Sequence, residues 1–430
     1  MIDAQILAQP LTLPCGTVLS NRLAKAAMTE GLADTSGRPT PELDRLYGIW
    51  SDGGAGMLLS GNIQIDRYHL ERPGNIVIDR EPDAEMAAAL ARLAAAATRN
   101  GNHFWAQISH AGRQTMKAVN PNPKAPSAVK LGLPGGQFGM PVPLTEAEIL
   151  NLIARFGVAA AACQRAGFTG VQIHAAHGYL LSQFLSPRSN QRDDEWGGSL
   201  RNRARMLLDV VGQVRTAVGP KFPISVKLNS ADFQRGGFDF DDSLVVAKWL
   251  EDAGVDLIEI SGGTYEQPKL LGVAGIEEEA VQNVAESTLQ REAYFVDFAV
   301  AMQNAVSVPL MVTGGFRTRA AMEQAITSGA ADLIGIGRPL CYQADGAKLL
   351  LAGADTLPRI ENQLGLLPAS ISFLKRIKTI RSIDSFASQY WFYSQIYSLG
   401  RTGQPITEQS VFASFREVES THKAWLKARA

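Results

Sequence analysis

Short apolar runs without polar alternation recur along the chain, each followed by a longer segment with helical periodicity. The runs lie at Leu23–Met28, Ala55–Ile63, His103–Ser109, Gly170–His174, Pro223–Leu228, Val255–Ser261, Val308–Thr313 and Ala331–Gly337. Unalternating runs of this length read as strands buried on both faces, the mark of a parallel sheet. The helical patterns between and after them fall at Pro41–Asp52, Asp83–Arg99, Glu146–Ala166, Leu200–Val218, Asp241–Ala253, Leu289–Asn304, Arg317–Ser328 and Tyr342–Ala352. Thr145 stands three residues before Glu148 at the head of the third helix, the spacing of a capping box. Eight strand–helix pairs predict an α/β chain closed into a (β/α)8 TIM barrel.

The connections are unequal. Helix-to-strand links are short, such as Gly101-Asn102 and Gly254, while strand-to-helix links are long. The third runs from His110 to Leu144 and carries six prolines; the fourth runs from Ala175 to Ser199, and the sixth from Gly262 to Thr288. Long structureless loops in a compact domain are usually functional. Here they gather on the barrel face where such enzymes build their sites. By position, Thr29, Gln107, His110, His174, His177, Lys227 and Ser261 become site candidates at the strand exits.

After about residue 356 the alternation stops. The chain is therefore expected to divide into a barrel over 1–355 and a C-terminal helical extension over 356–430, packed on the barrel or at a subunit contact. The extension carries an aromatic cluster, Tyr390-Trp391-Phe392-Tyr393 with Tyr397, which suits either packing outside the barrel or a lid over its mouth.

Composition narrows the function. With 46% hydrophobic and 19% charged residues, the chain has the balance of a soluble globular protein. A formal net charge of −1 argues against a phosphate-backbone binder, so no nucleic acid partner is expected. The three cysteines, Cys15, Cys163 and Cys341, form no paired ligand motif, so no metal is expected. No apolar run approaches the ~20 residues that span a bilayer. The opening residues lack a basic segment followed by an apolar one, and a cytoplasmic location is the expectation.

The candidate chemistry starts at His174-Ala175-Ala176-His177-Gly178-Tyr179, at the exit of the fourth strand. Two imidazoles and a phenol suit a carbonyl substrate that must gain negative charge and then a proton. A phenol, with a reference pKa of about 10, still holds its proton at neutral pH. A metal half-site or satisfied core histidines would use the same residue types.

The seventh strand exits into Thr313-Gly314-Gly315 and the eighth into Gly335-Ile336-Gly337-Arg338-Pro339. Glycine turns after strands seven and eight match the usual phosphate site of such barrels, and Arg338 supplies a cation. Gln107 adds an amide, Lys227 a second cation and Thr29 a hydroxyl. A ring with an amide-like edge that accumulates negative charge fits these groups, which favours a flavin over a sugar phosphate.

Several motifs together resemble the Old Yellow Enzyme family of flavin-dependent ene-reductases, the NADH:flavin oxidoreductases, over about residues 3–355. They are Asn21-Arg22 with Met28-Thr29, Gln107 through Gln114, His174 through Tyr179, and Ser186 through Ser199. Thr313-Gly314-Gly315 and Gly335 through Pro339 complete the set. The resemblance implies a tightly held FMN and NADPH or NADH as hydride donor. It further implies that Thr29 lies near the flavin's C4–N5 edge, with Ala27, Met28 and Gly61 also at the cofactor. Gln107 would meet the pyrimidine edge, and Lys227 would lie near N1 and O2. Gly314, Gly315, Gly337 and Arg338 would hold the phosphate. His174 and His177 would bind the substrate's carbonyl oxygen, and Tyr179 would deliver a proton.

The expected reaction is reduction of the C=C bond of α,β-unsaturated carbonyl compounds, small electron-poor alkenes, by a homo-oligomer or monomer without membrane contact. Lys227 stands where many members have arginine, and a point charge replaces a fork there. Three other readings stay open: a dehydrogenase or demethylase of the same family, a flavin binder without catalysis, and a non-redox phosphate-binding barrel of aldolase or isomerase type using Lys227.

Overall fold

The computed structural model describes residues 6–133, 136–263, 298–366 and 378–429. Eight parallel strands close a barrel: β1 Leu23–Lys25, β2 Met57–Gln64, β3 His103–Ser109, β4 Gly170–Ala175, β5 Ile224–Asn229, β6 Leu257–Ser261, β7 Leu310–Thr313 and β8 Leu333–Ile336. Each strand pairs with its sequence neighbour, and β8 closes on β1 through Ile334 opposite Leu23. All eight expected strands are present.

The barrel interior explains why its strands read as unbroken apolar runs. Outward side chains such as Leu58, Ile108, Val226 and Ile334 pack under the helices. Inward ones, among them Met57, Leu59, Trp105, Leu257 and Met311, form a second core with Leu11, Leu13 and Leu19. Those leucines come from a small antiparallel pairing of Leu11–Thr12 with Val18–Leu19, which plugs the N-terminal mouth. The opposite mouth is left for a ligand.

Strand β1 is shorter than its apolar pattern. After Lys25 only the Ala26 N–H still reaches across, to Ile336 O, and residues 27–29 then turn to line the open mouth. The capping box at Thr145 and Glu148 is formed and heads the helix Glu146–Arg165. The eighth helix starts late, at Gly346, because Arg338–Cys341 forms a 3-10 turn containing Pro339. The sixth loop, Gly262–Thr288, and the first part of the helix expected at Leu289–Asn304 lie largely outside the described residues; helix is present over 298–303.

Beyond the barrel run two helices, Lys378–Thr402 and Val411–Arg429. The first packs on the helix Pro41–Asp52, where Arg45 donates to the carbonyl of Gly400 at 2.7 Å. The second is tied down by Trp425, whose indole N–H donates to Ala33 O at 3.0 Å. Among the described residues no helix is long and apolar enough to cross a membrane.

Candidate active site

A cavity of about 440 Å³ opens at the C-terminal mouth of the barrel. That volume lies within the range of small-molecule and cofactor sites. Of the residues expected at the site, all but Gly61, His110 and Ser261 line it. Gly61 sits instead at an irregularity of the β2 ladder, between Leu59 and Asn62. Its N–H donates to Glu30 Oε1 at 2.7 Å, and any Cβ there would overlap the Glu30 carboxylate.

One end of the cavity is built to hold an anion. Gly315 has φ +73°, a left-handed conformation that glycine adopts without strain. A Cβ on Gly337 would meet nothing nearer than Met28 Sδ at 4.0 Å, so ligand space lies over its backbone. Arg317 is committed to Glu361 by an ion pair. Arg338 has no hydrogen bond or ion pair among the described residues, and burial pulls its pKa down. Glu361 acts on it only from a distance, so this partly buried cation still has room for an anionic ligand. Two other cavity-lining atoms are buried and unpartnered, Asn62 Oδ1 and Thr313 Oγ1.

The middle of the cavity presents a polar edge. Gln107 Nε2 donates to Gln172 Oε1 at 2.7 Å, and Gln172 Nε2 donates to Glu259 Oε2 at 2.8 Å. Lys227 Nζ donates to Glu259 Oε1 at 2.7 Å. Neither Gln172 nor Glu259 was singled out from the sequence, and both sit behind the lining residues. Thr29 Oγ1 accepts from Asn62 Nδ2 at 3.2 Å.

At the third end stand the imidazoles and the phenol. His177 has φ +61°, a costly conformation for a non-glycine residue. Its N–H is held by Asn229 Oδ1 at 3.1 Å, and Gly178 follows at φ +77°. These two left-handed residues turn the chain so that Tyr179 heads the short helix Leu180–Leu185 and faces the cavity, its ring centroid 4.7 Å from that of His174.

Burial holds both imidazoles neutral. It pushes the pKa of His174 well below the ordinary value, with His177 and Lys227 adding to the effect, and does the same to His177 with help from Lys227. A neutral ring has one N–H. Ser109 Oγ lies 3.3 Å from His174 Nδ1, and Ser261 Oγ lies 2.6 Å from His177 Nε2. The other two ring nitrogens, His174 Nε2 and His177 Nδ1, lie within hydrogen-bond distance of each other at 3.4 Å, so one ring donates to the other and the tautomers decide which. Two imidazole nitrogens this close can both reach one acceptor between them, as a carbonyl oxygen gaining negative charge would be.

Asp66, His69 and His110 also come together, and they are of metal-ligand types. The Lys124 N–H donates to His69 Nε2 at 2.9 Å, and the Gly112 N–H donates to His110 Nδ1 at 3.0 Å. His69 Nδ1 lies 3.3 Å from Asp66 Oδ1, and His110 Nε2 is buried with no hydrogen-bond partner among the described residues.

The C-terminal helices add a wall that the strand pattern does not show. Tyr390, Phe392, Tyr393, Ile396 and His422 line the cavity. The Arg72 guanidinium stacks on Tyr393 at 3.6 Å from the ring centroid, and its Nη2 donates to Tyr393 Oη at 2.6 Å. The sequence shows this aromatic cluster, and only the tertiary packing brings it to the mouth.

Buried neutral histidines make stability depend on pH. Burial lowers His110 to about 3 and His422 to about 4, and also depresses His174 and His177. As pH falls below about 6.5 the unfolded chain takes up protons that the folded one refuses. Stability is then full above that pH and is lost below it, by roughly 1 kcal/mol per histidine between pH 6.5 and 5.5. The melting temperature is expected to drop by several degrees over that interval; an unchanged value would show that these rings charge without cost.

The mouth thus gathers an arginine with no ion pair among the described residues, glycine backbone open to a ligand, a polar edge, and two imidazoles beside a phenol. The profile of the NADH:flavin oxidoreductase / NADH oxidase family matches residues 7–351. The NADH-dependent flavin oxidoreductase iliE of Hypocrea jecorina (strain QM6a) is 38% identical over 351 residues, covering 77% of this chain and 85% of that protein. The iliE protein of Neonectria sp. (strain DH2) is also 38% identical, over 77% of this chain but only 45% of its own length. Among solved structures, the old yellow enzyme homologue from Zymomonas mobilis superposes with TM-score 0.67 at 25% identity, over 84% of this chain and 97% of that one.

The chain belongs to the NADH:flavin oxidoreductase / NADH oxidase family. FMN is the cofactor the family implies, and the unpaired Arg338, the open backbone at Gly337 and the orphaned Asn62 and Thr313 oxygens suit it. The matched region ends at residue 351, so the aromatic wall comes from chain that the family pattern does not describe.

Proposed function

We propose that this protein reduces the C=C bond of α,β-unsaturated carbonyl compounds, with FMN as cofactor and NADH or NADPH as donor. The observation that carries the reading is the convergence of His174 Nε2 and His177 Nδ1, 3.4 Å apart, beside Tyr179. FMN, when bound, supplies hydride transfer from the nicotinamide to the alkene.

The chain's own residues do the rest. Arg338, Gly314, Gly315 and Gly337 hold the phosphate, with Ala27, Met28 and Thr29 along the ring. Gln107 and Lys227 meet its polar edge. His174 and His177 orient the substrate carbonyl and donate to it as charge builds on the oxygen. A donor of this kind is worth about 3 kcal/mol. Tyr179 Oη then releases its proton to the α-carbon. Phe392 and Tyr393 give the cavity an aromatic wall.

A Schiff-base barrel is disfavoured, because the Lys227 ammonium is engaged by a buried carboxylate. In this reading the barrel over 1–355 holds the cofactor, and the extension over 356–430 adds a wall whose Phe392 ring lies 5.8 Å from the Arg338 guanidinium.

Two experiments test the proposal. With NADH deuterated at the transferable position, reduction of an enone is expected to place deuterium at the β-carbon and a solvent proton at the α-carbon. NADH oxidation by oxygen, with no reduced product from any enone, would contradict it. Arg338→Ala is expected to weaken FMN by about 10- to 100-fold, the loss of a charged hydrogen-bonding partner worth about 1.5–3 kcal/mol. Equilibrium dialysis against FMN measures this; equal affinity would remove Arg338 from the phosphate site.

A further inference from the structure

We infer that Glu259 is a positioning residue that tunes the reduction potential of bound FMN by screening the charge of Lys227. The inference rests on the proposed placement of Lys227 at the pyrimidine edge of the cofactor.

Register puts the pair together. Glu259 lies opposite Lys227 in the β5–β6 ladder, and both side chains point into the barrel. The Lys227 side chain is 5% exposed and that of Glu259 is 0% exposed. Lys227 lines the cavity and Glu259 does not. The carboxylate therefore acts on a ligand through the groups it holds, the Lys227 ammonium directly and Gln107 by way of Gln172.

Both of its oxygens are occupied, Oε1 by Lys227 Nζ and Oε2 by Gln172 Nε2. Gln172 is in turn fixed by Gln107 Nε2. One hydrogen-bonded chain thus links the two groups of the polar edge, Gln107 and Lys227, through two residues hidden behind them.

A lone ammonium at that edge would favour the anionic reduced form of a flavin. A buried carboxylate 2.7 Å from it opposes that preference, since charges in a low-dielectric interior are poorly screened by anything else. The family's commoner arginine has a fork that can serve a carboxylate and a ligand together. A lysine has one compact charge, so its share for the ligand depends on its partner. The glutamate weakens the pull of Lys227 on electrons and keeps the reduced cofactor a stronger donor to the alkene.

The test is the two-electron potential of the bound cofactor, measured by dye equilibration on the FMN-loaded protein. Glu259→Gln is expected to raise it by at least about 30 mV, a tenfold shift in the reduction equilibrium. Glu259→Asp, which keeps the charge, is expected to move it much less. Lys227→Gln is expected to lower it.

Removing one member of a buried pair can unfold a protein, whereas removing both leaves no stranded charge. The double variant Lys227→Gln, Glu259→Gln therefore gives a second reading. Screening by Glu259 predicts a potential within a few-fold of wild type in the equilibrium. A Glu259→Gln potential equal to wild type, or a double variant as low as Lys227→Gln alone, would overturn the inference. A wild-type chain that takes up no FMN would instead sink the functional reading beneath it.

Discussion

Tyr179→Phe is expected to leave reduction of the FMN-loaded protein by NADH within about twofold of wild type, while slowing its reoxidation by an enone by about 10²–10⁴-fold. The two half-reactions separate because they ask different things of the chain. Hydride enters the cofactor without a proton from Tyr179. In the proposed reaction the alkene is protonated at its α-carbon, and the proposed donor is the phenol that faces the cavity beside His174. Phenylalanine keeps the ring, its packing against His174 and the head of the helix at Leu180, and removes only the hydroxyl. Anaerobic stopped-flow absorbance resolves the two steps. Equal slowing of both, or of neither, would deny Tyr179 the role of proton donor.

His174→Ala is expected to reduce the rate of enone reduction by about 10²–10³-fold, the usual loss when one donor to a developing oxyanion is deleted. It should also weaken phenols, whose oxygen resembles the charged carbonyl. His174 Nε2 and His177 Nδ1 form one pair, so the two single variants should be strongly non-additive with the double. Ser109 and Ser261 hold the far nitrogen of each ring in place, and either alanine variant should cost less than loss of the imidazole itself. Phenol titrations of the FMN absorbance measure the binding part. Unchanged affinity in His174→Ala would show that the oxygen sits elsewhere.

Much of this was legible before any coordinates, and the reasons are local. Apolar runs such as Gly170–His174 and Val255–Ser261 announce strands buried on both sides, and Thr145 with Glu148 announces a helix start. The glycine turn after β7 is readable because Gly314 and Gly315 sit at positive φ, and the one after β8 because Gly337 leaves its backbone open to a ligand. His174, His177 and Tyr179 stand within six residues, so their meeting needs only one turn of chain.

What escaped the sequence depends on contacts between distant elements. Glu259 sits inside the run Leu257–Ser261, where an acidic residue reads only as an interruption. Its value comes from lying opposite Lys227, 32 positions away. Gln172 is hidden for the same reason. Gly61 was placed at the cofactor by resemblance, yet its neighbour is Glu30 and its setting is a strand irregularity. The cluster Tyr390–Tyr393 signals burial without an address, because an aromatic stripe packs equally well on a barrel's flank or over its mouth. The third loop's Phe138 and the second loop's Arg72 join that wall from parts of the chain with no shared motif.

One anaerobic titration weighs the whole reading. The purified protein should be yellow, should bleach on stoichiometric NADH or NADPH, and should regain its colour when cyclohexenone is added, with one equivalent of the saturated ketone formed. A colourless protein that FMN cannot reconstitute, or a yellow one that bleaches but is never recoloured by an enone, would contradict it.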